Sequence, residues 1–206
     1  MYLKYNGKMI IGSNNSLTYL EPCCFWLKPF KYFGRCQERE YDIQYDYCGV
    51  RLFDFRLYAD RNNHIIIKNG NYEYPSVSFY EILDFLNKKG DVIVLLTIDD
   101  LYTYESAARI KAIDNKFIEI CNIIEVIYKN IGFCGGYRQG DRTKLYHFVW
   151  ESKNGTPVMV NPSKWSRLYR FVTKWCPFLI SKLNRKYIAQ YENEYGYLLL
   201  NYVNRK

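Results

Sequence analysis

Residues 92–98 read VIVLLTI, an almost unbroken apolar run. A strand with one face in water alternates apolar and polar side chains, so a run of this kind belongs to a strand covered on both faces. Its flanks agree. Before it, Ser78 and Glu81 form a capping box for a helix that runs through Lys88 and stops at Gly90. That helix carries Phe79, Ile82, Leu83 and Leu86 on one face. After it, from Glu105 to Lys129, Ile110, Ile113, Phe117, Ile120, Ile124 and Ile127 recur at spacings of three and four, the period of a second helix laid on a sheet. Helix, buried strand, helix predicts a parallel sheet.

The rest of the chain extends the pattern. Lys8 to Ile11 reads as a strand and Gly12 to Ser16 as a polar loop. Leu20 to Phe33 is aromatic and interrupted by Pro22 and Pro29, which predicts an irregular cover. Arg35 to Tyr47 reads as a helix ending before Gly49. From Gly49 to Gly70 the sequence GVRLFDFRLYADRNNHIIIKNG gives a strand, a tight excursion and a second strand over His64 to Lys68. In the first of these, Asp54 and Arg56 share one face while Phe53, Phe55 and Leu57 take the other. Further strands are predicted near 131–134, 144–150, 157–160 and 195–203, with a basic, aromatic helical region over 163–194 broken at Pro177. About eight strands, mostly separated by helices, predict an α/β fold of irregular (β/α)8 TIM-barrel type. A single domain over 1–206 is expected, at the low end of the ~200 residues or more that such barrels use.

Composition narrows the chemistry. The net charge of +8 and pI of about 9.0 favour an anionic partner, whether phosphorylated small molecule, anionic membrane or nucleic acid. Seven cysteines with no C-x-x-C spacing and only two histidines argue against a zinc site and for reduced thiols. The first residues lack a secretory pattern and no segment reaches the ~18 apolar residues of a membrane span, so the expected location is the cytoplasm.

In a parallel barrel the site forms at the C-terminal ends of the strands. That rule gathers Asn14, Asn15, Asp54, Arg56, Asn69 and Asp99 at one mouth. Arg56 presents a fixed fork of donors suited to a phosphate, with Asp54 placed to orient it. The competing reading is a buried Asp-Arg pair that serves the fold alone.

Several stretches resemble the catalytic half of phosphatidylinositol-specific phospholipases C: IIGSNNSLTYL at 10–20, CQ at 36–37, IQYD at 43–46, GVRLFDFR at 49–56, IIIKNG at 65–70 and DVIVLLTID at 91–99. YLLLNYV at 197–203 is similar to the last barrel strand of those enzymes, and 101–196 matches only loosely. The resemblance implies a PLC-like phosphodiesterase barrel acting on an inositol-phosphate or phospholipid-type phosphodiester. One histidine would serve as base, a second as acid, and a cation would hold the phosphate. Arg56 matches the arginine that serves as this cation in bacterial members, which implies no metal and no other cofactor. Asn15, Asp54 and Asp99 match ligand positions of the calcium-dependent members, which keeps a metal reading open. The two histidine positions are Asn14 and Asn69.

An amide has no titration near neutral pH, so Asn14 cannot accept the attacking proton and Asn69 cannot deliver one. The expectation is a phospholipase C-like protein with impaired or absent catalysis that still binds the phosphate or headgroup. An alternative is an active phosphodiesterase that uses His147 or a carboxylate, Asp99 or Glu151, as substitute acid or base. His64 reads as a surface residue and Cys134 as a nucleophile without an evident histidine. A third alternative is a non-catalytic basic membrane-surface protein, because KWSRLYRFVTKWCPFLISKLNRK at 164–186 interleaves basic and aromatic residues as a membrane interface does. No recognition module for nucleic acid is present, and no nucleic-acid partner is expected.

Overall fold

The computed structural model describes residues 9–33, 35–59, 65–69, 72–75, 77–99, 107–138, 158–160, 184–186, 188–190, 197–200 and 203. Within them the chain runs β1 (Ile10–Ser13), a 3-10 helix (Phe25–Phe33), α1 (Tyr41–Asp46), β2 (Leu52–Ala59), β3 (Ile65–Asn69), β4 (Tyr72–Tyr74), α2 (Val77–Lys89), β5 (Val92–Asp99), α3 (Ala107–Ile127), β6 (Ile131–Arg138), β7 (Val158–Val160) and β8 (Tyr197–Leu200).

All the described strands join one sheet. Its parallel wall runs β7-β8-β1-β2-β5-β6, with Gly12 opposite Leu52 and Leu199, Leu52 opposite Ile93, and Ile93 opposite Gly132. The sheet was expected to close as a barrel. Among the described residues β6 and β7 are not paired with each other, so the sheet is open there. A second difference concerns β3, which lies antiparallel to β2 with Leu57 opposite Ile67 and Ala59 opposite Ile65. The five residues between the two strands, 60–64, are too few for the crossover that a parallel pair needs.

One length in this sheet determines where a site can form. β1 is only four residues long and pairs with β2 at Leu52 and Phe53 alone, whereas β3 takes the same edge of β2 from Leu57 onward. Among the described residues, 54–56 therefore have no strand partner on that edge.

Helix α2 buries the residues that its periodicity selects: Phe79 is 4% exposed, and Ile82, Leu83 and Leu86 are fully buried. The helix begins at Val77, one residue before Ser78, so Ser78 lies in the first turn and not at the cap. Phe55, on the opposite face of β2 from Asp54 and Arg56, meets Phe79 edge-on with ring centroids 5.2 Å apart. Among the described side chains of α3, Phe117, Cys121 and Ile124 are buried, followed past its end by Tyr128. Ile127, expected to face inward, is 59% exposed, because the α3 sequence is apolar on more than one face and the stripe starting from Phe117 is the one that meets the sheet. The predicted cover over 20–33 contains the 3-10 helix, and the helix expected over 35–47 is confined to Tyr41–Asp46. Gly49, with φ +71°, supplies the left-handed turn between α1 and β2. The predicted strand over 144–150 lies outside the described residues.

Helix α1 packs on α2 through Tyr41 and Tyr45, both edge-on to Phe85. The Tyr45 hydroxyl donates to Asp91 Oδ1 at 2.6 Å, and Asp91 Oδ2 accepts from Arg51 Nε at 2.9 Å. Burial, reinforced by the Asp91 hydrogen bond, pushes the Tyr45 hydroxyl up to about 12. The unfolded chain would release this proton near pH ~10 while the folded chain retains it, so the contribution is complete below pH ~10 and is lost as pH rises toward 12. Urea unfolding between pH 9 and 12 should show stability falling through this window, and Tyr45→Phe should remove roughly 2–3 kcal/mol of that fall. Equal slopes in the two proteins would refute the assignment.

Candidate functional site

The site lies in the gap of the β2 edge between β1 and β3. After Ser13 the chain leaves β1 but stays beside β2: Ser16 N–H donates to the Asp54 carbonyl at 2.8 Å, and Asn15 N–H donates to Asp54 Oδ2 at 3.1 Å. Asn15 holds this turn with φ +49°, a left-handed conformation that asparagine tolerates better than most residues. Thr18 closes the loop by donating from its hydroxyl to the Asn15 carbonyl at 2.9 Å.

Within the gap, Asp54 and Arg56 are almost wholly buried, at 3% and 7% exposure, and Arg56 Nε stands 3.8 Å from Asp54 Oδ2. The rest of the guanidinium fork reaches the two asparagines. Nη2 donates to Asn14 Oδ1 at 3.1 Å, and Nη1 approaches Asn69 Oδ1 at 3.5 Å, at the long limit for such a bond. Asn14 comes from the end of β1 and Asn69 is the last residue of β3, so one arginine joins the two strands that the gap separates. Five of the six residues selected from sequence, Asn14, Asn15, Asp54, Arg56 and Asn69, therefore sit in one cluster. The sixth, Asp99, is the last residue of β5, opposite Arg138, and its side chain lies outside the described residues. So do His64, His147, Glu151 and the side chain of Cys134.

A small cleft adjoins this cluster, lined by Asn15, Thr18, Asp54, Arg56, Lys68 and Asn69 together with the apolar Leu17, Phe55, Ile67 and Tyr74. It offers a buried guanidinium, a nearby lysine and several amides, a set suited to an anion. It does not offer a titratable group at position 14 or 69. Of the residues that match a metal-ligand pattern, Asn15 and Asp54 are adjacent, and among the described residues no group of three or more His, Cys, Asp or Glu could hold a metal ion.

Two neighbours of the cluster had no assigned role in the sequence reading. Gln37 is fully buried, and its amide donates to the carbonyls of Asn14 at 3.0 Å and Leu200 at 2.8 Å while its oxygen accepts from Val203 N–H at 3.0 Å. It ties the end of β8 to the Asn14 loop. Cys36, beside it, is a half-buried, reduced thiol whose Sγ lies 3.3 Å from Asn15 Nδ2 and 3.5 Å from Asn69 Nδ2. The dipeptide CQ was visible, but partners up to 166 residues away in sequence were not.

No protein-family model matches the chain, and no curated protein matches it. Among solved structures it is similar to that of S. aureus phosphatidylinositol-specific phospholipase C, from work on the modulation of that enzyme's membrane binding. The TM-score is 0.54 at 13% identity, covering 97% of this chain and 89% of the other. At that identity the likeness concerns the fold: this chain has a mixed α/β fold of the type seen in that phospholipase C, built on a mostly parallel sheet that is open among the described residues.

Proposed function

We propose that this chain is a phospholipase C-like protein that binds a phosphate diester or monoester of an inositol-type headgroup at Arg56 and cleaves it slowly or not at all. The domain is 1–206, built as an irregular (β/α)8 barrel with its mouth at the cleft. The observation that carries the reading is the Arg56 guanidinium held between the Asn14 and Asn69 amides. Three sides of the fork are positioned by Asn14, Asn69 and Asp54, which leaves it preorganised for a bidentate anion, while neither flanking amide can move a proton. Asn15, Asp54 and Asp99 serve as substrate-binding positions, and Asn14 and Asn69 replace the base and acid. Titration calorimetry with inositol 1-phosphate should show saturable binding. Phosphorus NMR should show little or no turnover of inositol cyclic phosphate or phosphatidylinositol. Cleavage within about tenfold of a histidine-bearing phospholipase C would overturn the reading, because two missing proton transfers cost far more than that.

The lipid side of this reading rests on the 3-10 helix. Phe25 is 71% exposed, Trp26 79% and Phe30 55%, with Lys28 exposed among them and Lys31 paired with Glu21. Exposed aromatics beside a lysine suit the boundary between headgroups and acyl chains. This surface supplements the membrane contact expected over 164–186, of which only 184–186 is described. Among the described residues no helix is long and apolar enough to cross a membrane. Phe25→Ala with Trp26→Ala should lower sedimentation with phosphatidylinositol-containing vesicles by at least about tenfold, since each aromatic side chain withdrawn from water is worth ~1.5–3 kcal/mol. Unchanged sedimentation would remove the surface from the proposal.

A further inference from the structure

Helix α3 turns Phe117, Cys121 and Ile124 toward the sheet, and the face opposite to these is not uniformly polar. On that outer face Ile123 is 46% exposed and Val126 68%, with the exposed Ile127 at their side. A helix that only covers a sheet carries charged and polar residues there. Toward the N-terminus the same line continues through Glu119, Lys116 and Ala112, all exposed. Positions 112, 116, 119, 123 and 126 are spaced four, three, four and three, the 3.5-residue period of a coiled-coil seam. The seam is uneven along its length. Ala112 makes one end small, Ile123 and Val126 make the other bulky and apolar, and one lysine and one glutamate lie between.

Two copies of this seam match in one direction only. In a parallel pair each residue meets its own equivalent, so lysine faces lysine and glutamate faces glutamate, which is repulsive. In an antiparallel pair the twofold axis can cross the seam midway between 116 and 119. Each Lys116 then faces a Glu119, and each Ala112 faces an Ile123, because 112 and 123 lie symmetrically outside 116 and 119. One register therefore sets opposite charges together and seats the large side chain against the small one. The helix dipoles also oppose each other in this arrangement.

We propose that the outer face of α3 is an interaction surface for a second copy of this chain, joined as an antiparallel helix pair about a twofold axis. The 21 residues of α3 span about 31 Å. A single helix pair of that length lies at the low end of the ~1,200–2,000 Å² that stable interfaces bury, so the dimer dissociates on dilution. The surface uses none of the residues of the Arg56 cleft, so the inference stands apart from the headgroup reading.

The test is sedimentation velocity of the intact chain from low micromolar to several hundred micromolar. The wild-type protein should pass from monomer to dimer across this range. Ile123→Ser with Val126→Ser should weaken the dimer at least about tenfold. Both side chains face away from the core, so the melting temperature of the dilute monomer should hold. Lys116→Glu should also weaken the dimer, by setting two glutamates against each other. Lys116→Glu with Glu119→Lys should restore it, an outcome specific to the antiparallel register. A chain that stays monomeric over the whole range overturns the proposal. So does a dimer of undiminished strength in the Ile123→Ser, Val126→Ser protein, which would place the interface on another face. Failure of the double charge exchange to restore what Lys116→Glu removes overturns the antiparallel pairing.

Discussion

Replacing both amides, Asn14→His with Asn69→His, should raise cleavage of an inositol phosphodiester by at least about a hundredfold over the wild-type chain. A positioned proton transfer contributes ~10²–10⁴-fold, and two that act on one reaction do not simply multiply. Each single variant should gain much less, because attack without leaving-group protonation, or the reverse, leaves one barrier in place. The geometry favours the experiment. Asn14 and Asn69 approach opposite ends of the Arg56 fork, so imidazoles at those positions would stand on either side of a phosphate held by it. The pH profile adds a readout that a general improvement in folding would not produce. One imidazole must be neutral and the other protonated, so the double variant should show a bell with limbs around the histidine range near pH ~6.5. The wild-type chain should show no such bell. A double variant that folds, binds inositol phosphate and still gains nothing would mean that the cleft does not hold a diester in line for attack.

The Asp54–Arg56 pair was legible in the sequence because it sits in a short, local pattern. Asp54 and Arg56 are two apart on one strand, and a strand fixes their shared face without help from the rest of the fold. The α2 stripe was legible for the same reason: all its inward positions fall on one helical face, and all are buried. The α3 stripe was less so, since Ile123, Val126 and Ile127 are exposed on a helix whose sequence offers more than one apolar face. The antiparallel direction of β3 is implicit in its five-residue connection to β2, a tight excursion too short for a parallel crossover. The roles of Gln37 and Cys36 were not legible at all. Gln37 bonds across 163 and 166 residues to Leu200 and Val203, and Cys36 meets Asn15 and Asn69 only because β1 stops short and β3 takes over its edge. Local pattern cannot report a gap in a ladder.

That gap also sets what a change at Arg56 should do. Asp54 is 3% exposed and accepts from Asn15 N–H, with the guanidinium as its nearby cation. Arg56→Ala removes the guanidinium beside this buried carboxylate, and removing one partner of a buried pair costs ~3–5 kcal/mol. The variant should therefore unfold at clearly lower denaturant and also lose measurable binding of inositol phosphate. Loss of binding in a destabilised protein decides little, so Arg56→Lys is the informative partner. It keeps a positive charge beside Asp54 but removes the planar fork, and an ammonium cannot reach Asn14, Asn69 and a phosphate in the same geometry. Most of the stability should return, while inositol phosphate affinity should stay about tenfold or more below wild type, the equivalent of one charge-assisted hydrogen bond at ~1.5 kcal/mol. If Arg56→Lys binds as tightly as wild type, the fork is not what holds the anion and Lys68, on the same cleft, becomes the next residue to test. If Arg56→Ala is as stable as wild type, the Arg56–Asp54 pair does not hold the fold at this edge.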